Sequence, residues 1–375
     1  MTKRWLAICA AFVASAACGG GQPSGPPPIR FLHTFSPAET ELVNRYLDER
    51  GLAVEASLVP FARGQQVIGE ILKSGASCPD VIRIDATWLP GLRQQLSPHA
   101  AQLDPAAWTP EALALIGPER GLALPQTVDG LIVVRDTATP APASPSIDDL
   151  VVAARAAKTV DRPHPLGVRV DGYWFVPWLR AQQADLAVEA IAGDGATTAL
   201  RAFASLFGDV ASPPPPLGGE TPDELRRWRS HGVAYWITGP WQLGALEDPG
   251  RVAVSPLAGA PRGGQLLVVP ACATQAQRGW ELAEELTSDA MQTLFAQTFS
   301  TIPTRTAALA AAPPVSRAAA EALRTAQMLP RAAVTPLLFD DLNPALAAVV
   351  AKDATPEEAI EGVRRGWARL TRRPR

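Results

Sequence analysis

Residues 29–51, IRFLHTFSPAETELVNRYLDERG, decide how the chain is read. Ile29 to Phe35 form a short apolar run suited to a buried strand. Ser36-Pro37-Ala38-Glu39 then fits a capping box, in which the Ser side chain and the Glu carboxylate each satisfy a free backbone N–H of the first turn. Pro37 stands at the first helical position, where its missing N–H costs nothing. Leu42, Val43, Tyr46 and Leu47 recur at helical spacing, and Gly51 supplies the stop. A second strand is expected at 53–59, a helix at about 63–74, and a third strand in PDVIRID (79–85). This β-α-β-α-β order implies a parallel sheet that binds ligands beyond the carboxyl ends of its strands. The loops of interest therefore begin at His33 and Asp85.

Working outward, GLALPQTVDGLIVVR (121–135) reads as two strands broken by a polar hinge at Gln126 to Gly130. TPAPASPS (139–146) is a surface loop. Residues 147–257 form a further mixed unit, with helices near 147–157 and 197–207 and a rigid proline loop at 213–219. GGQLLVVP (263–270) is a fresh strand. Helices follow near 275–287 and 289–298, and more follow TIPTR (301–305), the last opened by Pro356-Glu357-Glu358. No internal repeat is present. A length of 375 residues suggests about two domains.

With 47% hydrophobic and 19% charged residues the chain reads as globular, and a net charge of −3 argues against a nucleic-acid footprint. The N-terminus carries an address: Lys3-Arg4, an apolar run from Trp5 to Ala14, and the small-residue site Ser15-Ala16-Ala17-Cys18. That is a secretory signal, too short for an ordinary membrane span. Removing residues 1–17 takes Lys3 and Arg4 with it, so the mature net charge falls to −5. Export permits disulfides. Besides Cys18 the mature chain keeps Cys78 and Cys272, either two buried hydrophobes or one bridge.

Four His (33, 99, 164, 231) are scattered without ligand spacing, so no metal site is legible. There is no nucleophile elbow, phosphate loop or Cys-x-x-Cys pair. Carboxylates are plentiful, but no spacing pairs two of them as acid and base. A secreted glycan hydrolase stays open, since its two carboxylates can lie anywhere in a chain.

Cys18 directly after the small residues, followed by GGGQPSGPPP, resembles a bacterial lipoprotein signal, which implies lipidation of Cys18 and a flexible tether over 18–28; simple secretion with a free Cys is the alternative. Seven segments in order then resemble the maltose-type extracellular solute-binding proteins of ABC importers: that signal, FLHTFSPAETELVNRYLDE, CPDVIRIDATWLPGL, GLALPQTVDGLIVVRD, HGVAYWITGPW, GGQLLVVP with ELAEELTSDAMQTLF, and IPTRTAAL. The resemblance implies a periplasmic-binding-protein-like type II α/β fold. Two α/β lobes would close through a hinge on a ligand in the cleft between them. The N-lobe is expected at 29–126 and 266–310, and the C-lobe at 127–258 and 311–375, with the C-terminal helices packing across both. It further implies that the returning strand runs antiparallel beside the third strand, which would bring Cys272 to Cys78 as a disulfide. Function would be capture of a mono- or oligosaccharide and delivery to permease subunits, with no chemistry, cofactor or metal. The expected setting is extracytoplasmic, as a lipid-anchored monomer.

Sugars are held by aromatic rings stacked on C–H faces and by directional charged groups at hydroxyls. From the N-lobe, His33, Ser36 and Glu39 at the first loop and Asp85 and Trp88 at the third are candidates, with Asp129 at the hinge; Glu39 also has a purely capping reading. DGYWFVPWL (171–179) offers Tyr173 and Trp174, the latter on one helical face with Trp178. Tyr235 and Trp236 alternate along a strand ending at Gly239-Pro240, one expected in the core and the other near the cleft. Trp241 matches the family's stacking position. Thr304 and Arg305 are expected where the cleft closes, and Phe339 as a third wall. Three Tyr in all argue against a Tyr-based ferric-ion site. Rival functions are a polyamine binder, a sensor-kinase receptor and the hydrolase.

Overall fold

The structure, a computed structural model, describes residues 26–101, 103–213, 223–246 and 248–372. The signal segment, Cys18, most of the tether and most of the proline loop lie outside the described residues.

The opening elements follow from the local sequence. β1 (Ile29–His33) leads to helix Pro37–Glu49, β2 (Val54–Leu58), helix Phe61–Ser74 and β3 (Val81–Asp85). β1 pairs in parallel with both β2 and β3. The capping box is formed: the Ser36 hydroxyl accepts from the Glu39 N–H at 3.3 Å and the Glu39 carboxylate accepts from the Ser36 N–H at 2.7 Å. Leu42, Val43, Tyr46 and Leu47 are the buried face of that helix.

At 126–130 the outcome differs from the expected hinge. β4 runs over Leu124–Gly130 with a register shift at Gln126, β5 over Ile132–Asp136, and only Leu131 separates them. The polar residues stay in the strand because β9 pairs with their backbone and Gln126 has a side-chain partner. Gln126 Oε1 accepts from Arg83 Nε at 3.0 Å, and the backbone ladder continues to Gly130. Beyond Leu131 the chain enters a second sheet made of β6 (Leu166–Gly167), β7 (Tyr235–Thr238), β5 and β8 (Val252–Ser255), in that spatial order. β9 (Pro261–Val268) then returns to the first sheet, antiparallel to β3 on one side and β4 on the other. β10 (Gln327–Met328) pairs in parallel with its first residues. The result is two α/β lobes joined by crossing strands.

Arg180, on helix Gly172–Ala181 of the second lobe, ties the crossings together. Its guanidinium donates to the carbonyls of Gly259, Ala260, Gln327 and Met328 at 3.0–3.3 Å and pairs with Asp185. The last helix, Pro356–Arg372, is held by Trp367, whose ring is buried and whose Nε1 donates to the Leu338 carbonyl at 2.9 Å. Among the described residues no helix is long and apolar enough to cross a membrane.

Pairing of Ile82 with Val268 brings the segment before β3 beside the segment after β9. There Cys78 and Cys272 form a disulfide with Cα atoms 6.0 Å apart. A bridge closing a 194-residue separation restricts the unfolded chain strongly. Replacing both cysteines by Ser is expected to lower unfolding stability by about 2–5 kcal/mol, read by urea denaturation. Equal midpoints for the two proteins would contradict this.

Candidate functional site

The sheet register gathers the candidate groups. β1, β2 and β3 are parallel, β9 runs against β3, and β4 runs against β9. The ends of β1, β2, β3 and β4 therefore meet the start of β9 along one edge. In the second sheet Ile132 pairs with Thr238, and β6 runs parallel to β7. The turn after β7 and the loop after β6 accordingly face the same joint. A cleft thus forms where carboxyl ends of strands from both lobes converge.

Its floor is polar. Asp85 pairs in register with Gln265, while Thr127 and Asp129 of β4 pair with Gln265 and Gly263. Asp85 Oδ1 accepts from the N–H and hydroxyl of Thr87 at 2.8 and 2.5 Å, and Oδ2 accepts from Gln265 Nε2 at 3.2 Å. Burial is the largest influence on this carboxyl and raises its pKa above the ordinary range. Asp129 is pushed up to about 7, first by burial and then by the negative charge of Asp85, with Arg83 and Gln265 opposing. A Cβ at Gly263 would lie 2.9 Å from Asp129 Oδ1 and 3.4 Å from the Tyr173 hydroxyl, so a side chain here would push the Asp129 carboxylate aside. Arg83 lies behind the carboxylates, its guanidinium over the Phe35 ring at 4.4 Å and donating to Thr34 Oγ1 at 2.9 Å.

The walls are aromatic. Trp241, 41% exposed, has its ring edge against Trp174 with centroids 6.1 Å apart. Trp174 is itself buried, donates from Nε1 to the Ile237 carbonyl at 2.8 Å, and carries Arg169 over its ring at 4.6 Å. A Cβ at Gly239 would overlap the Trp241 ring, which explains the glycine in the turn. Tyr173 completes the row, 5.9 Å from Trp174. On the first lobe Trp88 is buried against Gly64 and backs Phe61, which is 52% exposed, at 5.6 Å. Phe339 packs against Gly172 at the start of the Tyr173 helix.

Other expected residues have structural placements. His33 is buried, accepts from the Phe35 N–H through Nδ1, and has its pKa lowered to about 4 by burial and by Arg83. Ser36 and Glu39 serve the helix cap. Tyr235 and Trp236 are both buried, at 2% and 4%, against the expectation that one would lie near the cleft. Tyr235 begins β7, at the end away from the joint, and its hydroxyl donates to the Pro140 carbonyl at 2.7 Å. Trp236 packs on Trp228 inside the lobe. Thr304 is fully buried, its hydroxyl donating to the Pro125 carbonyl at 2.8 Å. Arg305 stacks over Trp108 at 4.4 Å, 3.6 Å from Asp289. Gln265, Arg83, Phe61 and Arg169 were not expected. Only the tertiary register singles them out from similar residues elsewhere.

An open cavity of about 850 Å³ lies elsewhere, between the helices Ile147–Ala156 and Gly172–Ala181. Its two arginines are already matched, Arg180 with Asp185 and Arg155 with Asp209. Among the described residues no cluster of three His, Cys, Asp or Glu could hold a metal ion.

Residues 41–323 match the family model of the bacterial extracellular solute-binding proteins. No curated protein matches the sequence. Among solved structures the fold is similar to that of the GacH receptor of Streptomyces glaucescens, at 22% identity and a TM-score of 0.79, covering 92% of this chain and 98% of that one. It is similar also to MalE3 of T. maritima, at 19% identity and 0.80, covering 92% and 100%. A solute-binding protein of Agrobacterium radiobacter gives 16% identity and 0.78, covering 93% and 100%.

The raised pKa of Asp129 has a definite sign. Between 3.8, its unfolded value, and about 7 the folded protein holds a proton that the unfolded chain has lost. That contribution to stability is complete below 3.8 and is lost as pH rises through 7. His33 acts oppositely: its contribution is lost as pH falls from 6.5 towards 4, equally in wild type and variant. Asp129→Asn is therefore expected to gain melting temperature relative to wild type as pH rises from about 4 to about 8. A constant offset across that range, by scanning calorimetry, would contradict the assignment.

Proposed function

The chain belongs to the bacterial extracellular solute-binding proteins, and from that premise we propose that it captures a carbohydrate for an ABC importer. The observation that carries this reading is the pairing of an exposed, ring-backed Trp241 with a floor of carboxylates and an amide at the joint of the two lobes. Trp241 and Phe61 offer exposed flat apolar surface for the C–H faces of a sugar, with the half-buried Tyr173 beside them and the buried Trp174 as backing. Asp85, Asp129 and Gln265 offer directional acceptors for its hydroxyls. Hydrogen bonds to charged groups contribute about 1.5–3 kcal/mol each, so a few of them with one or two stacked rings suffice for roughly micromolar binding, near −8 kcal/mol. Similar folds hold sugars or sugar alcohols: the GacH receptor is described with acarbose, MalE3 with maltose and the Agrobacterium protein with ribitol.

Family membership gives the extracytoplasmic setting. The finer reading is that Cys18 is lipidated and tethers the mature protein to a membrane beside its permease, as the signal sequence supports. The protein performs no turnover of its own. Ligand draws the lobes together about the crossing strands, and the closed form is the shape a permease reads.

A thermal-shift screen of mono-, di- and oligosaccharides tests the reading. A ligand at one hundred times its dissociation constant adds about 2.7 kcal/mol of stability. Trp241→Ala is expected to weaken the best sugar about tenfold, the loss of one stacked ring, while melting like wild type without ligand. Unchanged affinity in that variant returns Trp241 to a merely structural role.

A further inference from the structure

β3, β9 and β4 set three polar side chains in a row: Asp85, Gln265 and Asp129. Gln265 is 6% exposed, its Nε2 donates to Asp85 Oδ2 at 3.2 Å, and its amide also acts to lower the Asp129 pKa. Its Oε1 is buried and accepts a hydrogen bond from no group among the described residues. The row therefore presents acceptors: two carboxylates and one amide oxygen with no donor of its own.

The charged surroundings do not balance it. Arg83 is the cation that acts on both carboxylates, and it acts on Glu39 as well, one positive charge among three negative ones. Its guanidinium already donates to Gln126 and Thr34. Thr87 donates to Asp85, and the Tyr173 hydroxyl donates to the Pro261 carbonyl at 3.4 Å. Arg169 stacks on Trp174 and acts on Asp171, while Arg180 is held by four carbonyls and Asp185. His33 sits behind the floor as a neutral ring.

We infer that the captured carbohydrate carries a protonated amine, seated against Asp85, Asp129 and the Gln265 Oε1. This deepens the carbohydrate reading and rests on it. A neutral hydroxyl can donate one hydrogen bond to this row. An alkylammonium group donates up to three and brings the positive charge that the row lacks. With such a group in place both carboxylates remain ionised, whereas without it burial, and then the charge of Asp85, pushes the Asp129 pKa up to about 7. The rings beside the floor serve the sugar body.

Calorimetric titration of the full chain distinguishes the possibilities, using the disaccharide of glucosamine, the matched disaccharide of N-acetylglucosamine, maltose, and spermidine. The free-amine disaccharide is expected to bind at least about tenfold more tightly than either neutral sugar, the equivalent of one charge-assisted hydrogen bond. That preference should vanish in Asp129→Asn and shrink in Asp85→Asn, each checked for a wild-type circular dichroism spectrum. A neutral disaccharide that binds as tightly as the amine overturns this inference and leaves the carbohydrate reading standing. Spermidine binding alone overturns the carbohydrate reading and this inference with it, as does the absence of binding by all four. An amine preference kept in both variants overturns the assignment to this row.

Discussion

β9 is the constraint on which the molecule depends. Its eight residues pair with β3 on one side and β4 on the other, and its first residues also hold β10. Because the strand is antiparallel to β3 and β4, its beginning lies against their ends. Its small and polar residues, Gly263 and Gln265, therefore fall between Asp85 and Asp129. A shift of one residue would turn Gln265 away from the cleft and put the apolar neighbours of the floor in its place. The disulfide just beyond the far end of β9 and the Arg180 contacts just before its start fix that register from both ends.

The two lobes contribute different chemistry to the cleft. The first supplies charge on a rigid sheet, where the costs of burying carboxylates are met by Thr87, Gln265 and Arg83. The second supplies aromatic surface on a helix and a turn, with Trp174 fixed by its own hydrogen bond and Trp241 propped on it. On the proposed reading, polar groups on a stiff sheet would fix the orientation of a ligand, and rings on the opposite lobe would reward closure over it. Binding and lobe movement would then be one event, as that proposal requires of a receptor read by its shape.

Much of this was legible in the sequence, for local reasons. The Ser36–Glu39 box, the Leu42 to Leu47 stripe and the strands flanking them depend on neighbours within a few residues, and they formed where the spacing put them. The aromatic segment around Tyr173 and the Gly239-Pro240-Trp241 turn stood out by composition. The pairing of Cys78 with Cys272 came only through the family resemblance. What stayed hidden depends on contacts distant in the chain. Gln126 to Gly130 looked like a break because polar residues interrupt an apolar run, yet β9 and Arg83 give them partners. Thr304 looked available until Pro125 and Gln292 were seen to occupy it. Tyr235 and Trp236 alternate faces, but Pro140 meets one and Trp228 the other, so alternation did not separate core from cleft. Gln265 had no distinguishing neighbours along the chain at all.

A crystal structure with a bound carbohydrate is the most direct measurement. A ring of the ligand lying flat on Trp241, with polar atoms about 2.7–3.2 Å from Asp85, Asp129 and Gln265, is the predicted result. A ligand held in the outer groove beside Arg180, or in the cleft without touching those three residues, would contradict it.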